Sequence, residues 1–352
     1  AAGTRGERVE WVGGVQAYDV RNDGYLALFT NQPFQFRQSN ITGNRLAGYA
    51  AFGEWRHRTR DRLRLTAGAR VSTTHREGRR FTSDRLGALP YEFDRRFDHL
   101  DWKLGVERDV APEAMAYATL QTGFMPGTYN ELPATPQADN LVKPSGLLAL
   151  TLGLKSRSAA GRLQFNPELF LYEYEDLLIQ SYDVSAAYNP IFNARSVRIW
   201  GAQADLRYVP GAAAFDLRVG YTHARNRDFA TPDGSRYDGL PLAYAPDWTV
   251  SAGYSQERTL ATGTLQWRVG GRYESEWWAD YLQNRGVRQR PSLKAEASLG
   301  WRAPAGWVVT AWMRNLTDEA VLAATAAAGI PGPATAYLEP PRSYGLRLAV
   351  DF

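Results

Sequence analysis

The feature that most constrains this chain is a period of two. In the closing segment Tyr344, Leu346, Leu348, Val350 and Phe352 alternate with Ser343, Gly345, Arg347, Ala349 and Asp351. Successive side chains of a β-strand point to opposite faces, so this segment has one apolar and one polar face. The alternation recurs upstream. Leu293, Ala295, Ala297, Leu299 and Trp301 oppose Lys294, Glu296, Ser298 and Gly300. Leu265, Trp267, Val269 and Tyr273 oppose Gln266, Arg268, Gly270, Arg272 and Glu274. Leu63, Leu65, Ala67, Ala69 and Val71 oppose Arg64, Thr66, Gly68, Arg70 and Ser72.

Fourteen strands are expected, near 7–20, 44–58, 62–77, 96–109, 113–124, 144–156, 161–174, 193–209, 213–226, 246–257, 263–277, 288–302, 306–316 and 342–352. Their connections alternate in length. Short ones fall at 59–60, 110–112, 157–160, 210–212, 258–262 and 303–305. Long ones run over 21–43, 78–95, 125–143, 175–192, 227–245, 278–287 and 317–341. Tight turns on one side and long loops on the other are the pattern of outer-membrane barrels. Soluble strands average about 5–6 residues, whereas a tilted strand needs roughly 9–11 to cross a bilayer, and these strands match the second length. A soluble sandwich also alternates, but its outer face gains nothing from Arg, Glu and Lys at strand centres, which a wet lumen accommodates. The expected fold is all-β: a transmembrane antiparallel up-and-down barrel, with residues 1–352 as one outer-membrane domain.

Composition then narrows the function. A mean hydropathy of −0.42 looks soluble only until it is split by alternate residues. Cysteine is absent, which removes disulfides, thiol nucleophiles and thiolate metal sites. His57, His75, His99 and His223 are scattered, and there is no Gly-rich phosphate loop. No catalytic residue, metal ligand or resident cofactor is expected, and the chain does not read as an enzyme. Lys occurs only at 103, 143, 155 and 294, and the many arginines spread along the strands, so nucleic acid is not an expected partner. The uncharged stretch Ala320 to Leu338 is broken by Ile330-Pro331-Gly332-Pro333 and is expected to be a loop with a short Ala-rich helical turn. Trp55, Tyr208, Phe215, Trp248, Trp301, Trp307 and Tyr344 sit near strand ends, where membrane–water interfaces favour Trp and Tyr.

The C-terminal third resembles the end of a TonB-dependent outer-membrane receptor. It carries Asn315-Leu316-Thr317-Asp318, then a loop, then Pro341-Arg342-Ser343-Tyr344 in a strand closing on Phe352. Upstream, Gly123-Phe124-Met125-Pro126-Gly127-Thr128-Tyr129-Asn130 is similar to the family's G-F/Y-K-x-G-x-x-N, with Met125 in place of Lys. Leu152-Gly153-Leu154-Lys155-Ser156, Asn193-Ala194 through Gly201-Ala202-Gln203-Ala204-Asp205, and Leu65-Thr66-Ala67-Gly68-Ala69-Arg70 resemble further family stretches. The resemblance covers nearly the whole chain. It implies the Gram-negative outer membrane, outer-membrane lipid around the barrel, and uptake of an iron–siderophore or similar scarce small molecule. Tyr344, Leu346, Leu348, Val350 and Phe352 resemble the signal read by the barrel assembly machinery. Receptor barrels of this kind have about 22 strands and a plugged lumen. Neither plug nor energy-coupling box is found, so the chain is expected to be the last fourteen strands of such a barrel, engaging the TonB complex only if those parts exist elsewhere. The alternative is a stand-alone passive pore with a charged lumen.

Expected ligand contacts lie on the long loops and the upper lumen: Tyr129 and Asn130, Tyr182 and Tyr188, Arg225 and Arg227, and Trp277, Trp278 and Tyr281. Aromatics offer flat apolar contact, and Arg pairs with carboxylate, catecholate or hydroxamate oxygens, so a ferric chelate would be cargo rather than cofactor. Arg64, Arg70, Lys103, Glu107, Lys155, Arg218, Arg268, Arg272, Glu274, Lys294, Glu296 and Arg347 are expected to form charge ladders across the lumen wall. A receptor fragment implies that the DNA immediately upstream encodes a plug in frame; sequencing that DNA checks it, and a stop codon there instead would point to the pore.

Overall fold

In the computed structural model, the residues described are 2–4, 8–29, 37–59, 62–84, 87–130, 141–158, 160–180, 191–231, 234–281, 283, 288–326 and 335–350. Phe352, Tyr182 and Tyr188 lie outside them. No helix among them is long and apolar enough to cross a membrane. The main sheet has 15 strands, each hydrogen-bonded to its neighbours in chain order once the short loop hairpins are set aside. One of these, Ala2–Thr4, is only 3 residues long. The rest are the fourteen strands that the alternation identifies.

The chain divides into two compact units. The first comprises Ala1–Val106, Thr119–Ala149 and Tyr174–Ser196. Here the strands Val9–Phe29 and Arg37–Arg58 pair without a break from Val9↔His57 to Phe29↔Arg37. Arg37–Arg58 then pairs with Leu63–Asp84 from Arg58↔Arg64 to Ser39↔Ser83. These strands have 21 or 22 residues, about twice what a bilayer requires, so the expected loops at 21–43 and 78–95 are largely ladder. The reason is physical. Beyond the membrane both faces of a sheet meet water, so the apolar signal fades while backbone pairing continues. Charge pairs replace it, with Arg45 joining Asp19 at 2.8 Å and Glu77 at 3.4 Å.

The second unit comprises Glu107–Ala118, Leu150–Glu173 and Val197–Phe352. Its strands Ala213–Asp228, Trp248–Leu260, Gly263–Glu274, Ser292–Arg302, Trp307–Arg314 and Ser343–Val350 stay in register. One row across them reads Tyr254↔Val269↔Ala297↔Met313↔Tyr344. The adjacent row reads Ser255↔Arg268↔Ser298↔Trp312↔Gly345. The first row belongs to the apolar face, which is left open: Tyr344, Leu346 and Leu348 are 77, 78 and 67% exposed. Apolar surface on this scale is stable only against lipid. Aromatics gather at both strand ends. Phe215 contacts Tyr208 and Tyr254 toward the short turns, and Tyr221 contacts Trp200 and Trp248 toward the loops.

The short turns are tight. Ala303 donates its N–H to the Trp307 carbonyl at 2.9 Å, and Gly306 adopts φ 86°, a left-handed geometry that glycine reaches without strain. At the opposite end, the described part of the Ala-rich stretch, Leu322–Ala326, is a strand paired with Thr335–Leu338 and not a helical turn. Cross-strand pairing there overrides the helix preference of alanine.

The two faces of one strand set a direct comparison. Val269 is half exposed on the apolar face, and Val269→Arg should cost about 2–4 kcal/mol when the folded chain is unfolded from lipid vesicles by denaturant. On the polar face of the same strand, Gln266 donates to Glu257 at 2.7 Å, and Gln266→Arg should change stability by no more than about 0.5 kcal/mol.

Candidate functional site

On the loop side of the second unit, three connections converge. Trp277–Trp278 pairs with Arg288–Gln289 as a two-residue hairpin, Trp277 opposite Gln289 and Trp278 opposite Arg288. Trp277 is buried against Ala279 and Leu322. Gln289, also buried, accepts the Leu322 N–H at 2.8 Å and so ties in the last long loop. Tyr244 arrives from the third connection, donating its N–H to the Trp278 carbonyl at 2.7 Å and laying its ring on Trp277 at 5.1 Å.

The pair of tryptophans therefore divides its work. Trp277 is the anchor. Trp278 lies on the opposite side of the hairpin, with the Arg288 guanidinium 5.5 Å over its ring and Glu276 bonded to that same guanidinium. Tyr281 is mostly covered, and burial raises its phenol above the ordinary 10.0, with Tyr244 adding to the shift. Tyr244 is 52% exposed and holds φ 55°, a conformation that costs a bulky residue about 1–2 kcal/mol. Strain of this kind persists where surrounding contacts enforce it, and it collects at ligand sites. The exposed surface of the cluster is thus Tyr244 and Arg288, with Trp278 partly buried beside them. Sequence reading found Trp278 but not its two companions, because the hairpin register that sets Arg288 beside Trp278 has no local signature.

Several other expected contacts are braces. Tyr129 is 3% exposed, stacks on Phe93 at 4.8 Å and donates its hydroxyl to Asn44. Gly78 leaves the space for its ring, since a Cβ there would strike it. Asn130 donates to the Ile191 carbonyl at 2.9 Å and accepts the Ile191 N–H at 2.6 Å, as a strand neighbour would. Arg225 bonds Asp247 at 2.9 Å. Arg227 is exposed and has no side-chain partner among the described residues.

Two more asparagines behave like Asn130. Asn193 joins the Lys143 backbone and the Asp176 carbonyl. Asn315, 4% exposed, accepts the Glu319 N–H at 3.0 Å and donates to the Glu319 and Pro340 carbonyls. Beside it Asp318 binds Arg342 at 2.9 Å, so the two halves of the C-terminal motif meet across the last long loop. In the loop after Ala213–Asp228, Asp238 accepts the Phe229 N–H at 2.9 Å and pairs with Arg236. These contacts, the backbone N–H first, hold its carboxyl below the ordinary 3.8.

The polar face of the second unit holds a cavity of about 740 Å³ over Gly253 and Gly270. The expected charge ladder is only partly cross-strand. Arg218 binds Asp205 at 3.1 Å on the neighbouring strand, and in the first unit Lys103 binds Glu54 at 3.0 Å. Arg272 instead pairs with Glu274 on its own strand, Lys294 with Glu339 of a loop, and Lys155 lies 5.6 Å over the Tyr117 ring. Arg70 donates to Gln16 at 2.7 Å. Among the described residues no group of three His, Cys, Asp or Glu side chains is placed to hold a metal ion.

Comparison with known proteins gives a consistent picture. Residues 2–316 match the family model described as TonB dependent receptor-like, beta-barrel. No match to a curated protein sequence was found. The ferric yersiniabactin uptake receptor FyuA from Yersinia pestis superposes with a TM-score of 0.85 at 17% identity, over 100% of this chain and 52% of its own. The siderophore receptor PiuA from Acinetobacter baumannii gives 0.76 at 12% identity, over 98% and 53%. The copper transporter OprC gives 0.68 at 15% identity, over 97% and 58%. These similarities show the fold, and the chain spans about half the length of the structures it matches.

Two outcomes test the braces. Asn315→Ala removes bonds to three backbone groups and should destabilise the folded chain by about 2–3 kcal/mol in denaturant titration. Asp238 has a lowered folded value, so its contribution is present above the ordinary 3.8 and is lost as pH falls through that lowered value. Amide exchange at Phe229 should therefore accelerate in that acidic window, and Asp238→Asn should abolish the dependence.

Proposed function

We propose a function from one premise: the chain belongs to the TonB-dependent receptor β-barrel family, a family of the Gram-negative outer membrane. On that basis it is the barrel portion of a receptor that takes up an iron–siderophore or a similar scarce chelate. The observation that carries this reading is the cluster of exposed Tyr244 and Arg288 with partly buried Trp278, set on the buried Trp277. The exposed Tyr244 ring gives a chelate flat apolar contact, and the Arg288 guanidinium, stacked on Trp278 and bonded to Glu276, has further N–H donors for its anionic oxygens. FyuA and PiuA, whose names specify siderophore uptake, support the iron-chelate reading, while OprC, a copper transporter, shares the fold. Capture would occur at the loops. Release inward would require a plug and an energy-coupling box acting with the TonB complex.

Uptake of a panel of radio-iron siderophores, measured in cells with and without the gene, tests the proposal. One chelate should depend on the gene, and Trp278→Ala or Arg288→Gln should weaken its surface binding about tenfold or more at unchanged surface abundance. A large, steady current from the chain alone in planar bilayers, with no gene-dependent chelate uptake, would replace the receptor by a passive pore.

A further inference from the structure

Across the second unit, one row of the lipid-facing side of the sheet reads Arg258↔Leu265↔Trp301↔Val309↔Leu348. Four of its members are apolar or aromatic, as lipid requires. The fifth is a guanidinium. Arg258 is exposed and lies two residues before the end of Trp248–Leu260, with exposed Leu260 beyond it on the same face. The other positions around it on that face are Gln256, Leu265 and Trp267, none of them acidic. The next residue along the strand, Glu257, belongs to the polar face, where Gln266 donates to it at 2.7 Å. Among the described residues Arg258 has no carboxylate partner.

A cation on the lipid side of a barrel is costly at the bilayer midplane, and the cost falls away near the surface. Arg258 stands beside a short turn, so its long side chain carries the charge past Leu260 to the level of the headgroups. Short turns face the periplasm, so these headgroups belong to the inner leaflet. Trp301, in the same row, is set against the same turn: a Cβ at Gly263 would meet its ring at 2.7 Å. Indoles favour this depth, where the ring stays in apolar surroundings and the N–H meets polar lipid atoms. Arg258 and Trp301 thus mark one level of the membrane, with Leu265 between them.

The chemistry of this face selects among lipids. Every glycerophospholipid offers a phosphate, which a guanidinium can bind through two N–H groups. A zwitterionic headgroup also carries an ammonium that needs an acceptor of its own, and the positions around Arg258 supply no carboxylate for it. An anionic headgroup has no such need. We infer that Arg258 and Trp301 form a docking surface for an anionic phospholipid of the inner leaflet. The guanidinium takes the phosphate, the indole N–H meets the glycerol ester region, and the acyl chains lie over Leu265 and Val309. This contact is on the outside of the sheet, away from the loop cluster, so it holds or fails whatever the cargo.

Native mass spectrometry of the full chain folded in detergent, offered equal amounts of phosphatidylglycerol and phosphatidylethanolamine, tests it. Phosphatidylglycerol adducts should exceed the others about fivefold, the factor that one arginine near an anionic surface supplies. Arg258→Gln should bring the ratio close to one, and Arg258→Lys should keep most of it. Arg268→Gln, on the polar face of the neighbouring strand, should leave it unchanged. Heat-modifiable gel mobility reports that each variant has folded. Equal adducts of the two lipids on the unaltered chain would overturn the inference. So would a preference that survives Arg258→Gln or falls equally in Arg268→Gln. Inorganic phosphate that displaces the lipid at equal concentration would assign the site to a free anion and overturn it as well.

Discussion

Within a bilayer no water is present to satisfy the peptide groups, and that single constraint organises the rest of the molecule. Each strand must give its N–H and C=O groups to neighbours, because every unpaired group costs several kcal/mol in hydrocarbon. The unbroken registers of the second unit, such as Thr249↔Glu274 through Leu260↔Gly263, meet that demand residue by residue. Once the ladder is laid down, the faces follow. Side chains must alternate, so the sequence must be apolar at every second position and is free at the others. The turns are short for the same reason: Gly306 closes one in a single left-handed step and leaves little backbone outside the ladder.

Outside the membrane the same groups still need partners, and side-chain amides take over the role of the missing strand. Asn130 presents a carbonyl and an NH2 to Ile191 just as a backbone neighbour does. Asn193 and Asn315 do so for other loops. Each is part of a stretch that resembles the family's motifs. Those stretches therefore mark where loops are fastened, and they say little about what the loops bind. Tyr129, in the same stretch as Asn130, illustrates the point: it looks like a ligand contact in sequence and is a buried brace in the fold.

This explains what could be read from the chain and what could not. The fourteen strands were legible because lipid on one side and water on the other impose a pattern with no other source. The ends were not, since strands such as Val9–Phe29 continue where both faces are wet and the pattern has no cause. The hairpin within Ala320 to Leu338 was hidden by alanine, whose local preference is helical. At the outer cluster, Trp277 and Trp278 were visible as a pair, but the burial of the first depends on Tyr244 and Leu322, distant in sequence.

The polar face obeys different energetics from the ladder. Its ion pairs are partly or largely exposed, with Arg218 at 80% and Asp205 at 61%, and such exposed pairs contribute about 1 kcal/mol or less. Stability resides in backbone pairing and in the apolar face against lipid, not in these charges. Positions on the polar face can therefore be exchanged at little cost to folding, which leaves them to be set by what passes or rests there. Matching most cations to carboxylates keeps the wall from acting as a uniform attractant.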